Sequence, residues 1–534
     1  MRLSAACLQY IVGIEGILQY RVDINCAVTW KAVMNLSDVA PYWLWQWMDI
    51  QGLLMMLCVF LIVKTIRDRP PRNYPPGPFG LPVIGSLLCI SPSDPFGYFC
   101  KLLGDYGDIM SLSVGNMPIL LLSGSKTLRE AFVEKADAFT DHPLYPINKR
   151  LCNGLGLIWS NGQMWKQQRR FALSTLKYFG VGKKTLETSI LEENRVLYKA
   201  IRNEQCKPFE PHNILHNAVG NIISSLVFGH RFEYDDGHFH EMLRICGEIF
   251  QLPFTLWGRL YNSFPTLMEF LPGKHQSTFS NSKKFQMFIQ EEVKKHRETW
   301  NPSEPRDYID CYLEEIKKCE DHTSGFNEEN LLYCVLDLIA AGTETTSNTL
   351  LWGLLYMAKY PEIQEKVQDE IDGVIGQERQ PSMDDRPSMP YTYAVIHEIQ
   401  RFGNIVPFTP PRMSNKNTTL AGYDIPKGVI VLPMLMPILF DKSEYQTADQ
   451  FNPEHFLDKE GKFVKRDNFM PFSIGKRACP GEQLARMELF LFFTSFLQRF
   501  TFCAPQGVEL TMEFVIGITR GPKPFKICAV PRIK

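Results

Sequence analysis

The stretch Phe472-Ser-Ile-Gly475-Lys-Arg477-Ala-Cys479-Pro480-Gly481 carries the strongest structural signal in this chain. An apolar helical run follows it directly, so we expect Cys479 to cap a helix. Pro480 would then be the first helical residue, where a missing N–H costs nothing. Backbone N–H groups and the positive end of the helix dipole would favour a thiolate at Cys479 over a thiol. A thiolate held in this way suits a haem iron with one sulfur ligand.

The residues around the cysteine separate this interpretation from a plainer one. A buried structural cysteine is the commonest fate of a lone Cys, but it would explain neither the glycines nor the arginine. Gly475 permits a tight turn ahead of the sulfur, and Gly481 would let the helix approach a flat ligand closely. Arg477 is placed to pair with an anionic group such as a haem propionate. The sequence therefore predicts a haem site at Cys479.

This stretch resembles the haem-binding loop of the cytochrome P-450 superfamily, the haem-thiolate monooxygenases. The resemblance runs from about Pro75 to the C-terminus, and its detail is similar to vertebrate microsomal family 2. It implies haem b as the cofactor, Cys479 as the axial ligand of its iron, and Phe472, Gly475, Arg477 and Gly481 as its neighbours. Three segments are most similar to the fatty-acid epoxygenase subfamily J, namely Gly403-Asn-Ile-Val-Pro407, Ala340-Ala-Gly-Thr-Glu-Thr-Thr346 and Phe472-Ser-Ile-Gly-Lys-Arg-Ala-Cys479.

Composition narrows the class of protein and its compartment. The 534 residues are 45% hydrophobic and 22% charged with a net charge of −1, which is ordinary for a globular protein. No strong basic excess exists, which argues against nucleic acid as a partner. The 14 cysteines are scattered without CxxC pairs or zinc-ligand spacing. That scatter indicates reduced thiols on the cytosolic side of a membrane.

The N-terminal part has the character of a membrane anchor. Residues 52–63 are apolar but too few to span a bilayer, while extension back to Pro41 gives adequate length. Basic residues follow at Lys64 and Arg67, so the positive-inside rule keeps that end cytoplasmic. A helix of a soluble core is the alternative, but such helices seldom end in a basic cluster followed by prolines.

We therefore predict four parts. Residues 41–63 would be a single signal anchor in the endoplasmic reticulum membrane, with the short N-terminus in the lumen. Residues 64–80 would be a basic, proline-rich hinge, and residues 81–534 a cytoplasmic haem-thiolate monooxygenase domain. Residues 1–40 have no clear counterpart in the family, and whether they belong to the functional protein is left open.

The globular part is predicted to be one large domain, mainly α with small β-sheets, as in the cytochrome P-450 fold. Helical patterns dominate it, and neither an internal repeat nor a low-complexity linker divides it. Strand-like segments lie at 109–114, 119–122, 418–423, 429–432, 508–510 and 525–530.

The longest predicted helix begins after Asn327, which can cap it, and ends near Tyr360 because Pro361 follows. Its length, about 50 Å at 1.5 Å per residue, is that of a helix through the middle of a large domain. A glycine and three threonines at its centre are poor helix chemistry. Tolerated polarity inside a helix is the plain interpretation of that centre.

The functional interpretation is that Gly342 leaves room for a ligand and that Thr345 opens the hydrogen-bond ladder to hold a water. In the resembling family this segment, with Ala341, lies over the distal face of the haem. There Thr345 and the neighbouring acid, Glu344, would stabilise bound dioxygen and relay protons. Glu344 has no structural partner that the sequence indicates, which favours a catalytic role for this pair.

Three further residues belong to the expected cofactor site. Trp165 and Arg169 stand at i, i+4 on one helix face and present two rigid donors. Alone they would be an ordinary surface pair, but with Arg477 they resemble the family's propionate clamp. Family 2 usually has Arg in place of His142, and we expect Arg412 to carry part of that load. A basic residue usual before Asp441 is also absent, since Leu439 and Phe440 stand there.

Glu398 and Arg401 form an E-x-x-R pattern at i, i+3. A surface ion pair worth well under about 1 kcal/mol is the plain interpretation. The resemblance instead assigns the pair a buried structural role, with His455 as the third partner where a basic residue is usual. We expect scaffold rather than catalysis here.

These features predict an NADPH- and O2-dependent monooxygenase. Electrons would come from NADPH-cytochrome reductase, with cytochrome b5 as a second candidate partner, because no Gly-rich dinucleotide fingerprint follows a strand. Lys166, Arg170 and Lys476 would form the docking face. A haem-thiolate peroxide isomerase and a non-catalytic haem sensor or carrier are the alternatives, and neither needs the Glu344–Thr345 pair.

The predicted substrate pocket is largely apolar and is lined by residues 155–158, 250–257 and 404–408 with the long helix near Ala341. A long flexible hydrophobe fits it better than a charged ligand. The stretch 252–257 is aromatic enough to enter a bilayer and give lipids a route to the pocket. The resemblance to subfamily J points to polyunsaturated fatty acids such as arachidonate, epoxidised or hydroxylated, with xenobiotics as the alternative.

Overall fold

The computed structural model describes residues 50–67, 69–86, 89–90, 94–115, 117–318 and 324–532. The chain forms two compact units that meet in sequence between Pro70 and Pro71. The first unit contains helix α1 (Ile50–Arg67), whose apolar side chains are exposed. Within the described ranges no helix combines the length and apolar character that a membrane crossing needs. The N-terminal extension and residues 41–49 of the predicted anchor lie outside those ranges.

The second unit is mainly helical, as predicted. Its helices, in chain order, are α2 (Pro95–Tyr106), α3 (Ser125–Arg129), α4 (Pro146–Cys152), α5 (Gly162–Tyr178), α6 (Lys184–Asn203), α7 (His212–Phe228), α8 (Gly237–Gln251), α9 (Leu256–Ser263), α10 (Pro265–Met268), α11 (Lys274–Thr299), α12 (Tyr308–Lys318), α13 (Glu328–Lys359), α14 (Pro361–Val374), α15 (Pro390–Gly403), α16 (Met436–Leu439) and α17 (Glu482–Arg499).

Helix α13 confirms the prediction for the longest helix. The side chain of Asn327 caps it by accepting a hydrogen bond from the backbone N–H of Asn330. The helix runs for 32 residues to Lys359, and Pro361 then starts α14. Most of its side chains are buried on several faces, and it packs along α7 in the largest apolar core of the unit. Its centre is therefore held rigidly in the middle of the domain.

The strands form small sheets at the edge of the helical body. The largest sheet has the order β1-β2-β6-β3, with β2 and β6 parallel and the other pairs antiparallel. The strands are β1 (Ile109–Val114), β2 (Met117–Leu122), β3 (Arg412–Met413), β4 (Thr418–Leu420), β5 (Tyr423–Ile425), β6 (Ile430–Pro433), β7 (Phe500–Cys503), β8 (Phe514–Ile516), β9 (Arg520–Pro522) and β10 (Cys528–Pro531). The predicted strand 418–423 is a hairpin of β4 and β5, and the prediction of a strand at 508–510 was wrong.

The part of the predicted proline-rich hinge from Pro71 onward belongs to the second unit and is hydrogen-bonded within it. The backbone N–H of Ser111 in β1 donates to the carbonyl of Pro76 at 2.7 Å, and its hydroxyl donates to the carbonyl of Pro75. A Cβ at Gly77 would lie 1.7 Å from the carbonyl oxygen of Ser111, so only glycine permits this approach. From Asn73 onward these residues run along the sheet edge.

Candidate active site

The cysteine loop, residues 472–481, folds as a tight turn before helix α17. The N–H of Cys479 donates to the carbonyl of Phe472 at 2.9 Å, and the N–H of Gly481 donates to the sulfur. Gly475 has φ +79°, and a Cβ there would lie 2.0 Å from the carbonyl oxygen of Phe132. Only glycine fits that position, as the turn predicted.

The start of helix α17 differs from the prediction. Its N-cap is Gly481 and its first residue is Glu482, so Cys479 lies two residues before the cap and Pro480 one residue before it. The turn is longer because the N–H groups of Cys479 and Gly481 are used within the loop. A Cβ at Gly481 would meet the sulfur at 3.9 Å, an ordinary contact, so that glycine faces Cys479 itself.

The ionisation of Cys479 also differs from the prediction. Burial raises the pKa of its thiol, and the charge of Glu482 adds to this effect. The hydrogen bond from Gly481 and the charge of Arg169 oppose the rise without reversing it. The residue as a whole is nevertheless accessible to solvent. Thiolate formation at such a position follows from coordination, because a bound cation deprotonates a thiol outright.

Three arginines converge beside the cysteine loop. Arg477 lies over the ring of Trp165 at 3.8 Å and donates to the carbonyls of Thr140 and Ser160. Arg169 donates to the carbonyl of Ala478, and Arg412 to that of Arg477. The three guanidinium groups donate hydrogen bonds to carbonyl and amide oxygens and to one imidazole nitrogen.

Burial and neighbouring positive charge lower the pKa of Arg477 and Arg412. Burial, followed by the charges of Arg412 and Arg169, lowers the pKa of Arg477 to about 8. Burial and the charge of Arg169 lower the pKa of Arg412 to about 9. Nearby Asp141 acts in the opposite direction on Arg477. A buried group of like charges is stabilised by an anion placed among them.

Trp165 and His142 lie beside the three arginines. The indole N–H of Trp165 is buried and, within the described residues, has no hydrogen-bond partner. Such a donor is stabilised by an acceptor that arrives with a ligand. His142 Nδ1 lies 2.5 Å from the carbonyl of Pro411, and Nε2 lies 2.7 Å from Arg412. Burial and the charges of Arg412 and Arg477 hold the pKa of His142 well below its usual value, so neutral His142 positions Arg412 by accepting its N–H.

The centre of helix α13 is less open than predicted. The hydroxyl of Thr345 donates to the carbonyl of Ala341 at 2.8 Å, and the helix is continuous, so the ladder is not opened there. A Cβ at Gly342 would meet the side chain of Ile223 at 3.1 Å. That glycine therefore serves the packing of α7 on α13 rather than leaving room for a ligand. Ala341, Glu344 and Thr345 are partly exposed.

The expectation that Glu344 lacks a structural partner was wrong. Its Oε2 lies 3.3 Å from Nε2 of His216 on α7, and its Oε1 accepts from Asn348 at 2.9 Å and from Thr519 at 3.3 Å. Burial alone would raise the pKa of Glu344, but His216 and Asn348 outweigh burial and hold it below the usual value. Sequence analysis missed His216 because it lies 128 residues away in the chain.

A second carboxylate on α13, Asp337, was also missed. Its Oδ2 accepts backbone N–H groups of Leu157 and Ile158 at 2.7 and 2.9 Å, while Asn330 binds the N–H of Gly156. These bonds fix the loop 155–158, one of the predicted pocket segments, against α13. An aspartate between leucines in an apolar helix was the available signal.

The other predicted pocket segments also come together. The rings of Phe254 and Phe408 stack with centroids 5.4 Å apart, which joins segments 250–257 and 404–408. The N–H of Ile518 donates to the carbonyl of Phe250, and the N–H of Arg520 donates to that of Ile405. Strand β9 and the residues before it therefore close the same space from a third side.

Glu398 and Arg401 form a buried ion pair, so a surface pair is excluded. Two hydrogen bonds of 2.7 Å join them, and both side chains are fully buried. Arg401 also donates to the carbonyls of Leu439, Ala448 and Gln450. His455 Nδ1 lies 3.3 Å from both carboxylate oxygens of Glu398. Helix α15 is thereby tied to the chain between α16 and the cysteine loop.

A helical body with a cysteine loop beside buried cations defines a haem-thiolate protein. The family model described as Cytochrome P450 matches residues 75–529. The chain belongs to the cytochrome P450 family, and it is therefore a monooxygenase with a cysteine-ligated haem iron.

Three relatives illustrate its place within the family. Cytochrome P450 2J3 of Rattus norvegicus is 48% identical over 492 residues, which is 92% of this chain and 98% of the relative. Cytochrome P450 2J2 of Homo sapiens is 49% identical over 492 residues, with the same coverage. Cytochrome P450 2J1 of Oryctolagus cuniculus is 50% identical over 481 residues, 90% of this chain and 96% of the relative. The resemblance to subfamily J of family 2 is confirmed.

Proposed function

We propose that this chain is an NADPH-driven monooxygenase that epoxidises or hydroxylates polyunsaturated fatty acids such as arachidonate, with Cys479 as the axial ligand. The observation that carries the cofactor assignment is the group of Arg169, Arg412 and Arg477 beside the sulfur. Each of these cations is buried or half-buried, and burial lowers the pKa of each. An anionic cofactor with two carboxylates supplies the charge that this group lacks.

The residues present fit haem. Arg477, Arg412 and Arg169 would hold the propionates, with the free indole N–H of Trp165 as a further donor. Cys479 would hold the iron, and Phe472, Gly475 and Gly481 would shape the loop around the sulfur. When bound, the haem supplies a thiolate-ligated iron that activates dioxygen and delivers one oxygen atom to a C–H or C=C bond. The protein's own part is to position substrate, exclude water and deliver protons.

Proton delivery is assigned to the middle of α13. Thr345 presents a hydroxyl one residue from the carboxyl group of Glu344, and both are partly exposed. Glu344 would hold the proton at its carboxyl oxygens, and Thr345 would orient it toward the distal side. A peroxide isomerase or a haem sensor has no use for such a pair.

The substrate assignment is based on the pocket segments and on subfamily J. The segments around Phe254 and Phe408 are apolar and aromatic, which suits a long hydrocarbon chain. The segment that contains helices α9 and α10 follows directly in the chain and exposes Leu256 (62%), Phe264 (47%), Leu267 (59%) and Phe270 (81%). Large apolar side chains that are exposed on a surface favour contact with a bilayer. We propose that a lipid substrate enters from that side.

We also propose where membrane and partner bind. Residues 41–63 would anchor the chain in the endoplasmic reticulum membrane, and the exposed apolar side chains of α1, such as Phe60 and Ile62, agree with that role. The exposed residues Lys166, Arg170 and Lys476 would bind the acidic face of NADPH-cytochrome reductase or cytochrome b5. Lys476 is paired with Asp137, whose pKa is lowered by that bond.

Reconstitution tests the proposal. The reduced carbon-monoxide complex should show the red-shifted Soret band of thiolate ligation. Full-length enzyme with reductase, NADPH and arachidonate should then give epoxide or hydroxy products. If no such product forms while a generic drug-like probe is turned over, the substrate is a xenobiotic and the fatty-acid assignment is wrong.

A further inference from the structure

The acid of the distal site has a histidine partner from a different helix. His216 is buried on α7, and its Nε2 lies 3.3 Å from Oε2 of Glu344. The other carboxylate oxygen is already occupied by Asn348 and Thr519. Glu344 therefore exchanges a proton through one oxygen only, and that oxygen faces His216.

The hydrogen bonds of His216 determine where its protons lie. Its Nδ1 lies 3.0 Å from the carbonyl oxygen of His212, which can only accept, so Nδ1 carries a hydrogen. One further proton lies between Nε2 and Oε2 of Glu344, either as imidazolium with carboxylate or as imidazole with carboxylic acid. The pair is thus a store for one movable proton next to Thr345.

A second histidine lies between this pair and the surface. The ring of His212 stacks on that of His216 with centroids 4.0 Å apart and an angle of 17°. His212 is exposed and lies at the start of α7. Partial burial of its ring and the charge of His216 lower the pKa of His212 to about 4, so His212 is neutral at physiological pH. The stack leaves the buried imidazole one ring thickness from the surface.

The neighbouring groups offer no competing proton source. From α8 only the Cys246 thiol is coupled to Glu344, and burial together with the charge of Glu344 raises its pKa. Thr519 and Asn348 are neutral donors that cannot change charge. His216 is the one ionisable hydrogen-bond partner of Glu344 within the described residues.

We propose that His216 is a positioning residue that protonates Glu344 during turnover, while the stacked ring of His212 covers it on the solvent side. Monooxygenation consumes two protons with two electrons for each dioxygen. For each proton, the Nε2–H bond of His216 breaks and an O–H bond forms at Oε2 of Glu344. That O–H bond breaks when the proton leaves on the side of Thr345, and a proton from solvent forms the Nε2–H bond again. This inference rests on the proposed roles of Glu344 and Thr345 and adds the source of their protons.

The test uses the full-length enzyme with reductase, NADPH and arachidonate, and follows product and hydrogen peroxide per NADPH. His216→Gln keeps an N–H donor toward Glu344 but cannot give up a proton. Since a positioned proton donor contributes on the order of 100-fold to its step, we expect product per NADPH to fall at least about threefold and peroxide to rise. In a Glu344→Gln background the same substitution should have no further effect, because His216 acts through Glu344.

The control is His238→Asn, an exposed histidine on α8 away from Glu344, which should match the wild type. A His216→Gln enzyme with an intact carbon-monoxide band and wild-type product yield would overturn the proposal. If that variant loses its haem, His216→Asn decides, since it also cannot give up a proton and a peroxide share equal to that of His238→Asn would also overturn the proposal. Failure of the wild type to form any product from arachidonate or the drug-like probe would instead count against the proposed function, and it is measured first.

Discussion

The two sides of the site differ in how their charged side chains are compensated. Beside the cysteine loop, Arg169, Arg412 and Arg477 hydrogen-bond to neutral acceptors, burial lowers the pKa of each, and the charge of Arg169 lowers the pKa of the other two further. On α13 the carboxylates of partly exposed Glu344 and buried Asp337 accept hydrogen bonds from donors of the protein. The cation side is therefore completed by an anion from outside the chain, whereas the carboxylate side is complete without one. The first arrangement suits binding a cofactor, and the second suits holding and passing protons.

The largest effect is expected from replacing Cys479, the residue beside which the three arginines lie. Cys479→Ala should abolish thiolate-ligated haem, because the sulfur lies in the loop beside the arginines and alanine offers no ligand atom in its place. The red-shifted band of the reduced carbon-monoxide complex should disappear. Cys89→Ala, at an exposed cysteine, should keep the band at full height. A red-shifted band in Cys479→Ala would refute the ligand assignment.

Arg401 is a third case, a buried cation that is already paired with a carboxylate of the protein. Arg401→Leu leaves Glu398 buried without its main partner, and we expect a loss of about 3–5 kcal/mol in unfolding free energy. Arg244 pairs with Glu241 at the same i, i+3 spacing but on the surface, with side chains 47% and 41% exposed. Arg244→Leu should cost less than about 1 kcal/mol. Denaturant unfolding followed by circular dichroism compares them, and equal losses would contradict the role of burial.

How much of each region could be predicted from the sequence depends on how far apart in the chain the contacting residues lie. The cap at Asn327 and the turn at Gly475 depend on residues close in sequence, so the local pattern was enough. The spacing of Glu398 and Arg401 predicted their pairing, but the burial of the pair came from the family resemblance. The partners of Glu344 come from positions 216 and 519, and the neighbour of Gly342 is Ile223. Those contacts depend on how α7 packs on α13, which local patterns do not encode. The start of α17 shifted by two residues because loop hydrogen bonds competed with the helix.

Loss of one cation should weaken cofactor binding while relieving repulsion in the protein alone. Arg412→Leu removes a charge that lowers the pKa of Arg477, and it removes one donor for an incoming carboxylate. A hydrogen bond to a charged group contributes about 1.5–3 kcal/mol, so haem should be released on the order of 10- to 100-fold faster. Transfer of haem to an acceptor apoprotein measures the rate. Lys476→Met, at an exposed lysine, is the control, and equal release from both variants would contradict the prediction.

The smallest expected effect concerns a carboxylate, and its sign follows from its pKa. Burial raises the pKa of Asp337 from 3.8 to about 7, although the N–H groups of Leu157 and Ile158 oppose the rise. Between about pH 4 and pH 7 the folded protein therefore keeps a proton that the unfolded chain has lost. The contribution of Asp337 to stability accordingly falls as pH rises through this range and is constant above it.

Asp337→Asn removes this titration and keeps an oxygen that can accept both N–H groups, which bind the same oxygen in the wild type. At pH 8 the variant should be more stable than the wild type by on the order of 1 kcal/mol, since tenfold in protonation is about 1.4 kcal/mol. At pH 5 the difference should shrink. Glu329→Gln, an exposed acid on the same helix, should show neither effect in thermal unfolding at the two pH values. A variant less stable than the wild type at both pH values would show that the loop needs the charge of Asp337, and the carboxylate side would then be less complete than its hydrogen bonds indicate.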